Sequence, residues 1–206
     1  MKSVKHPRYL SLSTKTGSRK HGIVVFMTFL CLSLPMASSY AAEIQSVNVK
    51  LLNNDIYVST SVGLDPKAVS EISDGLSKEL VFYLDLFRVW EVWPDEFVTG
   101  KKITRTLRSN PIKREYTAVS IDGNIYLEKR FKDLTGMLGW ALNITDMKLT
   151  NIRELEAGVY FVKVGVESRM RTLPPVIGYF LFFVPEKEFS VYRNSQTFSL
   201  GAREAP

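Results

Sequence analysis

Apolar and polar residues alternate through most of the chain beyond residue 42, and the alternation predicts strands. Within residues 44–52, Val47, Val49 and Leu51 share one face; Asn53-Asn54-Asp55 reads as a turn; and Ile56, Val58, Thr60 and Val62 share a face on the return. A period of two on both arms of a polar turn predicts a β-hairpin. Asp65 followed by Pro66 reads as an N-cap and first helical position, opening a helix to about Leu80 with Val69, Ile72 and Leu76 on one side. A β-type run over residues 81–93 then ends at Pro94, which has no N–H to give a ladder. Both of its faces, Phe82-Leu84-Leu86 and Tyr83-Asp85-Phe87, are partly apolar, which predicts a central strand.

Further strands are predicted over residues 101–108, 113–121 and 124–131, the last two joined across Asp122-Gly123, a strong hairpin turn. Asp133 caps a second predicted helix to about Leu142. Strands follow near 148–153, 159–169, 189–193 and 196–200, and residues 201–206 read as a frayed tail. The expected fold is mainly β, an antiparallel β-sandwich with two short helices, in a single domain of residues 42–206. The order strand, turn, strand, helix, strand occurs twice, with Ile56-Tyr57 and Ile125-Tyr126 at matching places. A duplicated unit and two unrelated hairpins both fit that echo.

The first 41 residues follow another pattern. Six basic residues and no acid precede residue 42, an apolar run spans 22–34, and Pro35 leads into the small-residue stretch Ala37-Ser38-Ser39-Tyr40-Ala41. Ser39 and Ala41 at the −3 and −1 places predict a secretory signal peptide over residues 1–41 cut after Ala41, and hence a periplasmic protein. The rival expectation is an uncleaved inner-membrane anchor. Thirteen apolar residues at ~1.5 Å each make a helix of about 20 Å, short of a ~30 Å hydrocarbon core. Cleavage would remove Cys31, His6 and His21, the chain's one cysteine and two histidines. The exported part would then have no thiol or imidazole for nucleophilic catalysis, metal ligation or disulfides, and no cofactor is expected. It would also carry 21 basic and 21 acidic residues, so the +6 of the whole chain belongs to the leader and nucleic acid is not an expected partner.

Three surfaces are candidates for binding. Lys101, Lys102, Arg105 and Arg108, continued by Lys113 and Arg114, would form an anionic-headgroup patch and a peripheral membrane contact if they shared a face; the alternative is a solvated sheet face. Trp90 and Trp93, in a stretch with Phe82, Tyr83, Phe87 and Phe97, would line a ligand groove or pack a core. Tyr179, Phe180, Phe182 and Phe183, beyond Pro174-Pro175, would form a docking surface or a buried connection. Catalysis is not expected. The carboxylate pairs Glu154/Glu156 and Asp95/Glu96 read as turn solvation rather than as a glycosidase pair, and no S-x-x-K, Gly-rich phosphate loop or calcium-loop spacing occurs after residue 42.

The stretches FYLDLFRVWEVWPDEF, LRSNPIKREYTAV, FKDLTGMLGWALN and GVYFVKVGVESRMRTLPP, in that order, resemble an uncharacterised bacterial family known as domain of unknown function 4390. Arg88, Trp90, Trp93, Arg114-Glu115-Tyr116 and Leu173-Pro174 carry the resemblance most specifically. The family has no established activity, so it implies no reaction; its members are often encoded beside a membrane-bound nitrogen-type sensor kinase, which implies a partner class. The expected function is a non-catalytic exported envelope module that binds a protein partner, such as the exterior domain of a membrane sensor kinase. The alternatives are binding of an apolar small molecule or lipid between the sheets and, more remotely, a carboxylate-based enzyme acting on envelope glycans.

Overall fold

The computed structural model describes residues 42–170 and 187–201, all within one compact unit, Tyr40–Pro206. The predicted leader, the Tyr179–Phe183 candidates and most of the predicted tail lie outside the described residues. Strands β1 (Glu43–Leu52) and β2 (Asp55–Gly63) form the first hairpin, in register from Ser46↔Ser61 to Leu52↔Asp55 after a shift between Ile44 and Ser46. Asn53 and Asn54 make the turn at φ 51° and 63°. Two consecutive left-handed residues give a turn whose twist matches that of the strands, and asparagine tolerates that region better than most residues.

Helix α1 (Pro66–Ser73) starts as expected, the Asp65 carboxylate accepting from the Ala68 N–H at 2.6 Å. It ends seven residues earlier than the sequence suggests, because Gly75 takes φ +98° and turns the chain out of the helix. The residues from Lys78 onward then pair as β3 (Lys78–Val89) with strands on both sides. Strand β4 (Glu96–Asn110) begins five residues before the predicted one and makes a long hairpin with β3. Next come β5 (Glu115–Asp122), β6 (Ile125–Phe131), helix α2 (Leu134–Ala141) and β7 (Asn143–Asn151), followed by β8 (Gly158–Met170), β9 (Lys187–Asn194) and β10 (Phe198–Leu200).

All pairings are antiparallel. One sheet has the order β1-β2-β7; the other runs β10-β8-β3-β4-β5-β6, with β9 also on β8. Leu80, Phe82, Leu84 and Leu86 of β3, Ile103 and Leu107 of β4, and Val162, Val164 and Val166 of β8 pack in one core with Ile56, Val58, Val62 and Ile144 of the smaller sheet. Ile72 of α1 and Met137 and Ala141 of α2 join them. The protein is therefore mainly β, an antiparallel sandwich with two short helices. The internal echo holds in connectivity. The first hairpin lies in the small sheet and its helix leads to a strand of the large sheet, while the second hairpin lies in the large sheet and leads to a strand of the small one. The pairings are not equivalent, since β7 joins β2 whereas β3 lies between β4 and β8.

Buried and half-buried cations tie the elements together. Arg193 of β9 donates to the carbonyls of Ile44 and Gln45 at 2.7 and 2.9 Å, tying the edges of the two sheets. Lys78, 1% exposed, lies 2.7 Å from Glu71 of α1 and 2.6 Å from Glu188 of β9, and Glu188 also accepts from Ser168 at 2.7 Å. Burial alone would lower the Lys78 pKa, but the hydrogen bonds to Glu188 and Glu71 outweigh it and the net direction is up. Lys78 thus stays an ammonium and is unsuited to take a proton from Ser168.

Candidate partner-binding surface

Alternation along β3 sends Phe82, Leu84 and Leu86 into the core and Tyr83, Asp85 and Phe87 to the outer face of the large sheet. A register shift after Leu86 brings Phe87 opposite Phe97 of β4, and on its other side Phe87 pairs with Phe161 of β8. The three rings form a ladder across three strands: Phe87 meets Phe97 edge-on with centroids 5.7 Å apart and stacks on Phe161 at 5.5 Å. Such pairs contribute about 0.5–1.5 kcal/mol beyond their buried area. The ladder opens outward, from Phe161 at 9% exposure to Phe97 at 56%.

Beyond the ladder the chain leaves the sheet. Trp90 to Asp95 form the loop between β3 and β4, and here Trp90 is 42%, Trp93 74% and Val92 86% exposed. The loop's stem is braced on one flank. The Arg88 guanidinium lies 4.4 Å from the Trp90 ring centroid and donates to Glu156 Oε2 at 2.5 Å and to the Ala157 carbonyl at 2.9 Å. Its hydrogen bond to Glu156 raises the Arg88 pKa, so it is a fixed cation. The Trp90 indole N–H donates to Glu96 Oε2 at 3.1 Å across the mouth of the loop. Gly158 permits the Arg88 approach, since a Cβ there would lie 3.0 Å from Arg88 Nε. Tyr160 donates from its hydroxyl to the Glu156 carbonyl at 2.8 Å, holding the β8 side of the clamp. The result is a braced stem that carries Val92 and Trp93 into solvent.

The outer face behind the ladder is polar. Asp85 lies opposite Lys163 of β8 and Gly100 of β4. Burial raises the Asp85 pKa, with Lys163 opposing. The Lys163 ammonium sits 5.1 Å from the Tyr192 ring centroid, and Tyr192 lies against Gly165, where a Cβ would meet its ring at 2.6 Å.

The predicted basic stretch does not form a patch, because alternation divides it. Lys101 points inward to Asp122 at 3.0 Å and to the Lys148 carbonyl at 3.4 Å. Arg105 is 6% exposed and donates from one guanidinium nitrogen to the carbonyls of Trp140, Ala141 and Asn143 at 2.6, 2.9 and 2.7 Å, with its charge 4.6 Å from the Trp140 ring centroid. It satisfies the end of α2, whose last carbonyls lack helical partners. Burial lowers its pKa to about 10. Lys102 and Arg108 remain exposed, six residues apart on one strand and so separated by roughly 20 Å. Of the carboxylate pairs, Glu156 is held by Arg88, Glu154 accepts from Thr150 at 3.0 Å and Glu96 accepts from Trp90.

Trp90 and Trp93 lie exposed in the same loop, outside the intersheet core. Phe97 of the same aromatic stretch completes the surface, together with Arg88 and Val92, which the sequence reading does not single out for binding. A valine between two tryptophans, followed by a proline that stops the ladder, was the available signal for an apolar turn. Two clefts lie elsewhere. One of about 470 Å³ runs along β1 against the β9–β10 turn and is lined mostly by polar residues such as Ser46, Asn48, Arg193 and Gln196. Another of about 400 Å³ lies by Ile152, Leu155 and Leu200. No group of three or more acidic, histidine or cysteine side chains able to hold a metal occurs among the described residues.

Residues 39–197 match the model of a protein family described as "Domain of unknown function (DUF4390)", and the chain belongs to that family. Comparison with curated proteins and with solved structures gives no match.

Proposed function

We propose that this member of the domain-of-unknown-function 4390 family is a non-catalytic module of the bacterial envelope, exported to the periplasm, that binds a protein partner with the tip of its β3–β4 hairpin. The exterior domain of a membrane protein such as a sensor kinase is the partner class. The observation that carries this reading is the exposure of Val92 and Trp93 on a stem clamped by Arg88, Glu156 and the Trp90–Glu96 bond. Burying one such side chain is worth about 1.5–3 kcal/mol, a gain the free protein leaves unused. Rigid aromatic anchors of this kind lose little conformational freedom on binding, which makes them typical centres of protein interfaces.

The test places a photoreactive amino acid at position 93 in living cells, with a control at the exposed Ile112, in the turn at the far end of β4. A discrete adduct with one envelope protein is expected from position 93 and not from position 112. Val92→Ser and Trp93→Ser should abolish association with that protein while changing folding stability by no more than about 0.5 kcal/mol. Equal crosslinking from both positions, or unfolding of the serine variants, would count against the proposal.

A further inference from the structure

The charges around the tip narrow the partner further. Within residues 88–97, Arg88 is the one cation, against Glu91, Asp95 and Glu96, and Arg88 is already engaged by Glu156. Glu91 directly precedes Val92, and Asp95 follows Trp93 by two residues, so the two anchors are flanked by carboxylates on both sides along the chain. Both acids are exposed. A socket that takes in Trp93 therefore draws Glu91 and Asp95 to its rim, where they lose part of their water. Carboxylates brought into an interface without counter-charges oppose binding, whereas Lys or Arg on the facing rim turns them into charge-assisted hydrogen bonds.

Building on the partner-binding reading, we infer that the β3–β4 tip is a plug for an apolar socket rimmed by Lys and Arg on a protein. The acids that select a basic rim also disfavour a lipid surface. Peripheral membrane binders combine apolar residues with cations that are drawn to anionic headgroups, and this tip presents the opposite sign. The basic residues of β4 do not compensate. Lys101 is paired with Asp122, Arg105 is buried under α2, Lys102 lies opposite Tyr83, four residues along β3 from Phe87 and the ladder, and Arg108 lies opposite Thr117 toward the far end of β4. Tip and rim would thus divide the work, with Val92 and Trp93 supplying affinity and Glu91 and Asp95 supplying selectivity and speed of encounter.

The probes are short random peptides displayed on phage, selected on the purified protein, and vesicles of zwitterionic lipid with and without an anionic phospholipid. The variants are Trp93→Ser and the double reversal Glu91→Lys/Asp95→Lys, each first shown to melt like the parent. Selected peptides are expected to combine apolar residues with Lys or Arg and to weaken as salt rises. They should lose about 30-fold in affinity with Trp93→Ser, as for a hot-spot residue, and about 10-fold or more with the double reversal. Peptides that depend on Trp93 but lack basic residues and ignore the reversal would overturn the basic rim while leaving the partner-binding tip intact. Trp93-dependent flotation with vesicles would overturn it in favour of a lipid surface. A selection that yields no Trp93-dependent peptide overturns the plug itself, and if crosslinking from position 93 is absent as well, the partner-binding reading falls with it.

Discussion

Replacing Arg105 with methionine separates a surface cation from one built into the fold. A patch arginine would tolerate the change within about 0.5 kcal/mol. The buried Arg105 instead donates to three carbonyls at 2.6 to 2.9 Å. Its one donating nitrogen has two N–H groups to share among them, and hydrogen bonds from a charged donor contribute ~1.5–3 kcal/mol each, or ~3–6 kcal/mol together. Against them stands the burial of the charge. Burial lowers the guanidinium pKa to about 10, well below its ordinary value, which corresponds to a cost of about 3 kcal/mol. The Nε atom adds to that cost, having no hydrogen-bond partner. Methionine keeps much of the packing against Trp140 and Phe82 but strands the carbonyls. The expected loss is about 2–4 kcal/mol, or on the order of 5–15 °C in Tm for a domain of this size. The sign with pH also follows. A base whose folded pKa lies below its unfolded value carries its burial penalty at all pH values below the folded pKa, and that penalty relaxes only as pH rises through about 10. The difference between parent and Arg105→Met should therefore be flat through neutral pH. Thermal melts followed by circular dichroism read both effects. A Tm unchanged to within about 2 °C would refute the claim that these bonds hold α2 to the sheet.

Three further substitutions test the Lys78 triad and the outer face of the large sheet around Asp85. Lys78→Met leaves the half-buried Glu71 and Glu188 without their ammonium and should cost ~1.5–3 kcal/mol in urea unfolding, with a loss below ~0.5 kcal/mol counting against the triad. The Glu71 pKa is lowered, chiefly by its hydrogen bond to Lys78, so its contribution is present above the ordinary glutamate range and is lost as pH falls through the folded value; the variant should lack that acid dependence. Asp85→Asn should stabilise the protein at neutral pH, because burial raises this carboxyl's pKa, and the gain should vanish below the ordinary aspartate pKa of ~3.9; a loss of stability at neutral pH would show that the charge is used. Gly100→Ala would set a methyl against the Asp85 carboxylate and 3.2 Å from the Phe97 ring, and should cost ~1–3 kcal/mol through overpacking, whereas an unchanged melting curve would mean that the ladder yields freely.

The sequence was most informative where the determinant is local. Asp65 and Asp133 each accept from the N–H three residues on at 2.6 Å, as their places before apolar helical segments predicted. The Asn53-Asn54 turn and the turn after Asp122, where Gly123 takes φ 56°, fell between alternating runs because asparagine and glycine admit the left-handed backbone that the turns need. Alternation even contained the fate of Arg105, which stands between Ile103 and Leu107 on the face that both bury. The run of cations by itself fits both a patch and a division between two faces, and the period of two decides for the division.

Other features needed contacts between residues far apart in the chain. Gly75 turns the chain out of α1, but that the residues after it form a strand depends on the pairing of Lys78 to Leu80 with residues about 30 and 90 positions away. The aromatic ladder needs a shift of register between Leu86 and Phe87 that no residue type announces. Likewise Arg88 becomes a clamp only when β8 brings Glu156 and Ala157 beside it. By itself the sequence determined the strand periodicity, the helix starts, the turns and the family. Tertiary structure alone decided which cations are spent on internal carbonyls and carboxylates and which aromatic residues are left in solvent. The physical reason is that hydrophobic period and capping act within a few residues, whereas ion pairing and burial depend on which strands the sheet sets side by side.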